Sequence, residues 1–515
     1  MKNKRQGRQE MGLALVNTRA TVGMDAPMVC VEVHLANGIP GFHLVGMAET
    51  TVKEARDRVR GALINSGFEF PAKRITVNLA PADLPKHGGR FDLAIALGIL
   101  VASGQLPDDC LDGIEVFGEL ALSGVIRPVF GMLPCAVACN NSNNHLFLPK
   151  ANAQEANWVE HLSYTPISSL IEAFQHLSGL TIIPTKKGIR FETKPNNIAR
   201  DWSDIVGQEQ AKKALLVAAT GHHHVLMVGP PGTGKSLLAN RLHQLLPPLN
   251  SNEMLSVASI RSILGETIST DGLVQRPIRQ PHHSASAVAL TGGGSSPKPG
   301  EISLAHKGIL FLDELPEFGR HTLDVLREPL ETGQIHISRA KGRASFPSSF
   351  QLVAAMNPSP TGDIHDGRST PDQIMRYLNR LSGPLLDRID LQVEVPKLDN
   401  FQFGQPPAND TFLTAQEAFE LAEFARTKQY KRQGCLNGEL SVSALEEYSQ
   451  VEPEELAFFQ QVAKKLDLSL RVFHRCIKVA RTLADLEDND TVTRQHLAEA
   501  LSFRALDTLI KDVSR

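Results

Sequence analysis

Gly229-Pro230-Pro231-Gly232-Thr233-Gly234-Lys235-Ser236 is a complete G-x-x-x-x-G-K-[ST] loop, and no other stretch of the chain constrains the fold as strongly. Such a loop works only between a buried strand and a helix. His224-Val225-Leu226-Met227-Val228 reads as that strand, and Leu237 to Leu246 as an amphipathic helix leaving the loop. The glycines let backbone N–H groups wrap phosphates at a helix N-terminus. Lys235 is then placed to reach the β/γ-phosphates of a nucleoside triphosphate, and the Ser236 hydroxyl to ligate Mg²⁺.

A second half-site lies downstream. Gly308-Ile309-Leu310-Phe311-Leu312-Asp313-Glu314 is an apolar run ending in two carboxylates, the pattern of a fully buried parallel strand. Ligands of open α/β sheets bind at that strand end. Asp313 is expected to hold Mg²⁺ through water, and Glu314 to orient and deprotonate the attacking water. Phe350 to Asn357 reads as another buried strand, ending in an amide suited to positioning that water. Ser382-Gly383-Pro384-Leu385-Leu386-Asp387-Arg388-Ile389-Asp390 carries an arginine where a ring ATPase presents one to a neighbour's γ-phosphate. A salt bridge to a flanking aspartate is the other reading of Arg388.

Longer strings carry a resemblance. Arg279-Gln280-Pro281-His282-His283-Ser284, Gly292-Gly293-Gly294, Pro299-Gly300-Glu301-Ile302-Ser303-Leu304-Ala305-His306 and Leu312-Asp313-Glu314-Leu315-Pro316-Glu317-Phe318 resemble the magnesium-chelatase-like AAA+ ATPases. Within them the chain is similar to the YifB/ComM branch, from about Met11 to Leu506. The resemblance implies an ATP- and Mg²⁺-dependent, homohexameric motor that binds duplex or branched DNA without sequence preference. It would drive branch migration as a helicase or translocase, promoting integration of DNA by homologous recombination during natural transformation. Many YifB-like proteins carry cysteines after the Asn357 strand. Here Asn357-Pro358-Ser359-Pro360-Thr361-Gly362-Asp363 has none, so no zinc is expected.

The expected fold is α/β. Residues 1–10, which lack an apolar h-region, read as a flexible tail, and 11–180 mix short strands with helices. Residues 181–201 read as a linker, 202–398 as a parallel AAA+ core, and 410–508 as a helical lid. The first part resembles the Lon protease domain. Leu84 to Asp92 falls where Lon carries its nucleophile loop, with Arg90 in the serine's place and Leu133 at or next to the lysine's. Without a nucleophile and its base there is no covalent route to peptide cleavage. A similar inactive domain occurs in the RadA recombination motor, so the expected role is ring formation, DNA guidance or plain scaffolding.

Two insertions bear on the substrate. About seventy residues separate the phosphate-loop helix from the Asp313 strand; they resemble the helix-2 insert of this clade and hold Arg276, Arg279, His282, His283 and Lys298. Gly333 to Arg343 reads as a pre-sensor-1 β-hairpin turning at Lys341-Gly342, with a cationic tip. Such hairpins grip phosphates in relatives like the MCM helicase, so Arg339, Lys341 and Arg343, with Arg279 and Lys298, are the candidate DNA contacts. His282 and His283 read equally as pore or structural residues. In the lid, Arg471 matches the family's sensor-2 arginine, which touches a γ-phosphate; Arg475 and Arg481 are the runners-up.

Composition sets outer bounds. The 515 residues are 42% apolar and 21% charged, with no apolar run of membrane-spanning length, which suits a cytoplasmic globular enzyme. A net charge of −3 excludes a generally basic nucleic-acid coat but permits a local stripe. Only 5% of residues are aromatic, which favours backbone contact with a duplex over base stacking. The six cysteines are scattered, as expected of reduced, buried thiols. His222, His223 and His224 precede the phosphate-loop strand without neighbouring acidic partners and are not read as a metal site. A protein-remodelling chaperone of the magnesium-chelatase motor type is the alternative function.

Overall fold

Buried and more open positions alternate along Leu13–Arg19, Met28–Ala36 and Arg74–Ala80, so each strand turns one face to the core, and Met28–Ala36 pairs antiparallel with both of the others. They form the middle of an eight-stranded mixed sheet in the computed structural model, which describes residues 12–46, 49–190, 200–202, 204–266, 275–294, 297–339, 342–364, 367–397 and 412–513. From one edge the strands run Lys186–Lys187, Ser163–Ile167, His145–Pro149, Ile114–Val116, Leu13–Arg19, Met28–Ala36, Arg74–Ala80 and Gly41–Val45. The helix Asp92–Ala102 is apolar on every side and is covered accordingly, with Leu93 to Val101 all buried. Its Gly98 lies against the sheet, where an added Cβ would meet Val33 Cγ2 at 2.6 Å. The expected linker 181–201 begins as structure instead. Lys186 and Lys187 pair with Tyr164 and Ser163, and the N–H of Gly188 donates to the Leu162 carbonyl. Edge-strand bonds are backbone bonds, which is why a polar composition did not reveal them. The tail 1–10 lies outside the described residues.

The second sheet is wholly parallel, in the order Ile278–Arg279, Ile309–Leu312, Gln351–Met356, Val225–Val228 and Leu391–Glu394. Ile309–Leu312, Gln351–Met356 and Val225–Val228 are buried at every position, as strands covered by helices on both faces must be. The chain then enters helices, chief among them Ala415–Gln433, Pro453–Lys465 and Leu470–Leu486. The architecture is therefore mixed α/β, a parallel AAA+-type core followed by a helical C-terminal region.

The helix Ser251–Leu264 joins the two sheets. Its Met254, Val257 and Ala258 share one apolar cluster with Met132, Leu133 and Cys135, and Ser262 Oγ accepts from the Leu133 N–H at 3.2 Å. Cys135, Cys139 and Cys476 are buried thiols; Cys30, Cys110 and Cys435 are only half-buried. Burial pushes the Cys135 thiol up to about 11. Among the described residues no helix is long and apolar enough to cross a membrane.

Candidate active site

Gly232 and Gly234 have φ of +78° and +89°, a backbone region an L side chain enters only at a cost, and nothing would touch a Cβ at either. Conformation, not space, therefore demands glycine in this loop. It follows Val225–Val228 and leads into the helix Lys235–Leu242 and a 3-10 turn, His243–Leu245, so the exit helix is shorter than expected and ends in a tighter coil. Lys235 is buried. Its ammonium donates to the Gly229 and Pro230 carbonyls, both at 2.7 Å, and to Asn357 Oδ1 at 3.2 Å. Burial lowers its pKa below the ordinary lysine value, and Asp313 opposes that shift. Thr233 Oγ1 donates to the Pro230 carbonyl at 3.0 Å, bracing the loop.

Three strands deliver the remaining groups to the same edge. Ser236 Oγ donates to Asp313 Oδ2 at 2.8 Å, and the Glu314 N–H donates to Asp313 Oδ1 at 2.9 Å, so both oxygens of Asp313 are held. A hydroxyl beside a carboxylate is the hard oxygen set that Mg²⁺ prefers, and these residues fit that ion. Glu314 has φ +52° and ψ 47°, a left-handed conformation that a glutamate adopts only when its surroundings impose it. Its carboxylate is 55% exposed and lies 3.0 Å from His283 Nδ1. His283 in turn packs against His282, ring centroids 4.1 Å apart and planes tilted by 35°. Sequence reasoning left His283 between a pore and a structural role; it faces the candidate base instead.

A cleft of about 1000 Å³ opens beside the loop, lined by Gly229, Pro230, Pro396, Ala505, Thr508 and Leu509. The last three belong to Ala505–Val513, a helix that sequence reasoning did not connect to the site. Leu506, Leu509, Ile510 and Val513 recur at helical spacing and pack on the core, which was the signal available.

The candidate arginines lie elsewhere. Arg388 is buried, with Nη2 2.6 Å from Glu331 Oε1, and Arg471 Nη2 lies 2.7 Å from the same oxygen. The flanking aspartates are not partners of Arg388. Arg475 is bonded to Asp390, and Arg481 is fully buried against Asp485 and the Asn489 and Asp490 carbonyls, so both runners-up are structural. Two of the three histidine positions meet an acidic partner that their local sequence lacks: the backbone N–H of His224 donates to Asp390 Oδ2 at 2.9 Å, and His223 Nδ1 lies 3.6 Å from it. Burial pushes the Asp390 carboxyl up, but Arg475 and His223 outweigh it and hold the group well below the usual range.

The candidate DNA contacts that the structure describes differ in their surroundings. Arg279 donates to Glu301 through two bonds of 2.6 and 2.8 Å, a paired contact that occupies the Nε–Nη2 edge of its guanidinium. Arg276 is spent on the Pro247 and Lys307 carbonyls and Glu253. Lys298 is exposed in the short strand Lys298–Pro299 and lines a cavity of about 430 Å³ with Arg90, Glu119, Arg127 and Phe130. In that cavity Arg90 donates to the Phe130 carbonyl; Leu133, expected at or next to the lysine's place, is buried. The hairpin consists of Gln334–Arg339 paired with Gly342–Pro347. Gly342 pairs with Arg339, so it is a strand residue and not part of the turn. Arg343 is exposed; Lys341 lies outside the described residues.

Three family models match the chain: "Magnesium chelatase, subunit ChlI" over residues 201–403, "Subunit ChlI of Mg-chelatase" over 31–152, and "Magnesium chelatase, subunit ChlI C-terminal" over 414–504. Competence protein ComM of Haemophilus influenzae is 49% identical over 98% of this chain and 100% of its own length. An uncharacterized protein YifB of Escherichia coli is 46% identical over 97% and 98%. The magnesium-chelatase 38 kDa subunit of Rhodobacter capsulatus is 27% identical over 60% of this chain and 88% of its own length.

Proposed function

The chain belongs to the ComM/YifB family of magnesium-chelatase-like proteins, and on that premise we propose that it is an ATP-hydrolysing motor that acts on DNA in competence. The observation that carries the hydrolytic half is the meeting of Lys235, Ser236, Asp313, Glu314 and Asn357 at one sheet edge from three strands. The likeness to a competence protein along its whole length supports the DNA half.

In this reading ATP is the substrate. Its phosphates lie along the Gly229–Ser236 loop, and its base and sugar occupy the cleft between that loop and the C-terminal helix. Ser236 and Asp313 hold Mg²⁺, which offsets phosphate charge when bound. Lys235 leaves the Gly229 and Pro230 carbonyls to donate to phosphate oxygens. Glu314 takes a proton from the attacking water while Asn357 helps to place it. Arg388 and Arg471, which sit apart from this set, meet the phosphates of a neighbouring subunit, so the working unit is a ring, with six subunits expected. Hairpin Gln334–Pro347 moves with the hydrolytic cycle and draws a duplex by its backbone, driving branch migration in recombination.

The test is ATP turnover without DNA and with duplex, single-stranded and four-way-junction DNA, beside Glu314→Gln. DNA stimulation that disappears in the variant supports the motor. Turnover indifferent to every DNA sinks it and points to a protein substrate of the chelatase-motor kind.

A further inference from the structure

An arginine that serves a second molecule has to be reachable, and Arg388 is not. Its side chain is 7% exposed, and Glu331, 42% exposed, closes its open side. Glu331 Oε1 lies 2.6 Å from Arg388 Nη2 and 2.7 Å from Arg471 Nη2. Two guanidiniums brought this close repel unless an anion stands between them, so this one oxygen allows them to converge. Arg388 Nε is also buried without a partner, which leaves part of its donor fork unmet.

Both arginines are anchored from behind. Arg475, one turn beyond Arg471 on Leu470–Leu486, bonds Asp390, two residues past Arg388. Glu331 stands on a different support. It is the next-to-last residue of the short helix Arg327–Thr332, and Gly333, at φ +66°, turns the chain straight into the hairpin strand Gln334–Arg339. The two cations are thus tied to each other, and the carboxylate is tied to the hairpin.

We propose that Glu331 is a built-in substitute for phosphate: it fills a two-arginine anion site meant for the terminal phosphate of a nucleotide on a second copy of the chain. It must leave before Arg388 and Arg471 can serve that copy, and displacement of the hairpin is what removes it. The proposal rests on the ATPase reading above.

Glu331→Gln keeps the size of the side chain and removes its charge. The measurement is ATP turnover of the full chain against protein concentration, with and without duplex DNA. Freeing the two arginines from this half-buried carboxylate predicts about fivefold faster DNA-free turnover and a smaller stimulation by DNA. The double variant with Arg388→Ala is expected to fall to the level of Arg388→Ala alone. Glu331→Ala, which vacates the site entirely, must change turnover in the same direction. Slower turnover in both Glu331 variants, with unchanged thermal unfolding, overturns the proposal and makes Glu331 a strut for the arginines; unchanged turnover overturns it as well. If Arg388→Ala alone leaves turnover intact, the arginine assignment falls and the proposal with it. A loss in Arg388→Ala without a gain in Glu331→Gln removes this proposal only.

Discussion

Lys235 Nζ donates to Asn357 Oδ1 across 3.2 Å, joining the start of the phosphate-loop helix to the end of the neighbouring strand. The loop and the strand are therefore set against each other by this side-chain contact and by the Gly229 N–H, which donates to the Met356 carbonyl at 3.2 Å. Lys235→Ala is expected to weaken nucleotide binding at least tenfold, because an ammonium aimed at phosphate contributes a charge-assisted bond. Asn357→Ala is expected to lower turnover about a hundredfold with little change in affinity, as for loss of one transition-state donor. A fluorescent-nucleotide titration beside steady-state kinetics separates the two effects. Equal loss of binding in both variants would mean that Asn357 only positions the lysine.

Glu314 is exposed, strained and next to a carboxylate that is fully engaged. Removing its charge leaves Ser236 and Asp313 in place, so Glu314→Gln should bind ATP normally. Its turnover should fall by about a hundredfold or more, the usual scale of general-base loss. Lost nucleotide binding in that variant would place Glu314 among the Mg²⁺-holding groups instead.

How much of this was legible in the sequence follows from where each partner comes from. The loop, the Asp313-Glu314 strand end and the helical C-terminal region announce themselves by local periodicity. Arg279 with Glu301, His223 with Asp390 and Arg388 with Glu331 do not, since each partner arrives from 22 to 167 residues away. A lone cationic residue in an insert reads the same whether it grips a phosphate or a buried carboxylate. The helix Ala505–Val513 had a readable apolar face, but nothing local said that the face closes a cleft by the phosphate loop.

Two buried histidines make the fold acid-sensitive. His306 Nδ1 accepts from the Ser349 N–H and His224 Nδ1 from the Leu352 N–H, both at 3.1 Å, so each ring must be neutral there. Burial pushes each pKa down to about 3. An unfolded histidine takes its proton near pH 6.5, so the stabilisation is present above that pH and is lost as pH falls below it. At one unit below, each ring costs about 1.4 kcal/mol. Thermal unfolding at pH 7.5 and 5.5 should show the loss, and His306→Asn, which keeps an acceptor oxygen, should reduce it. An identical pH slope in that variant would remove His306 from the account.

The insert and the hairpin should respond oppositely to charge removal. Arg279 is committed to Glu301, so Arg279→Met is expected to lower stability by about 1 kcal/mol and leave DNA affinity alone. Arg343 is exposed on a hairpin strand, so Arg343→Ala should leave unfolding unchanged and weaken duplex binding for every sequence alike. The diagnostic is the salt dependence: losing one phosphate contact lowers the slope of log affinity against log salt by about one. A weaker Arg279 variant with an unaltered Arg343 variant would move the DNA path from the hairpin to the insert.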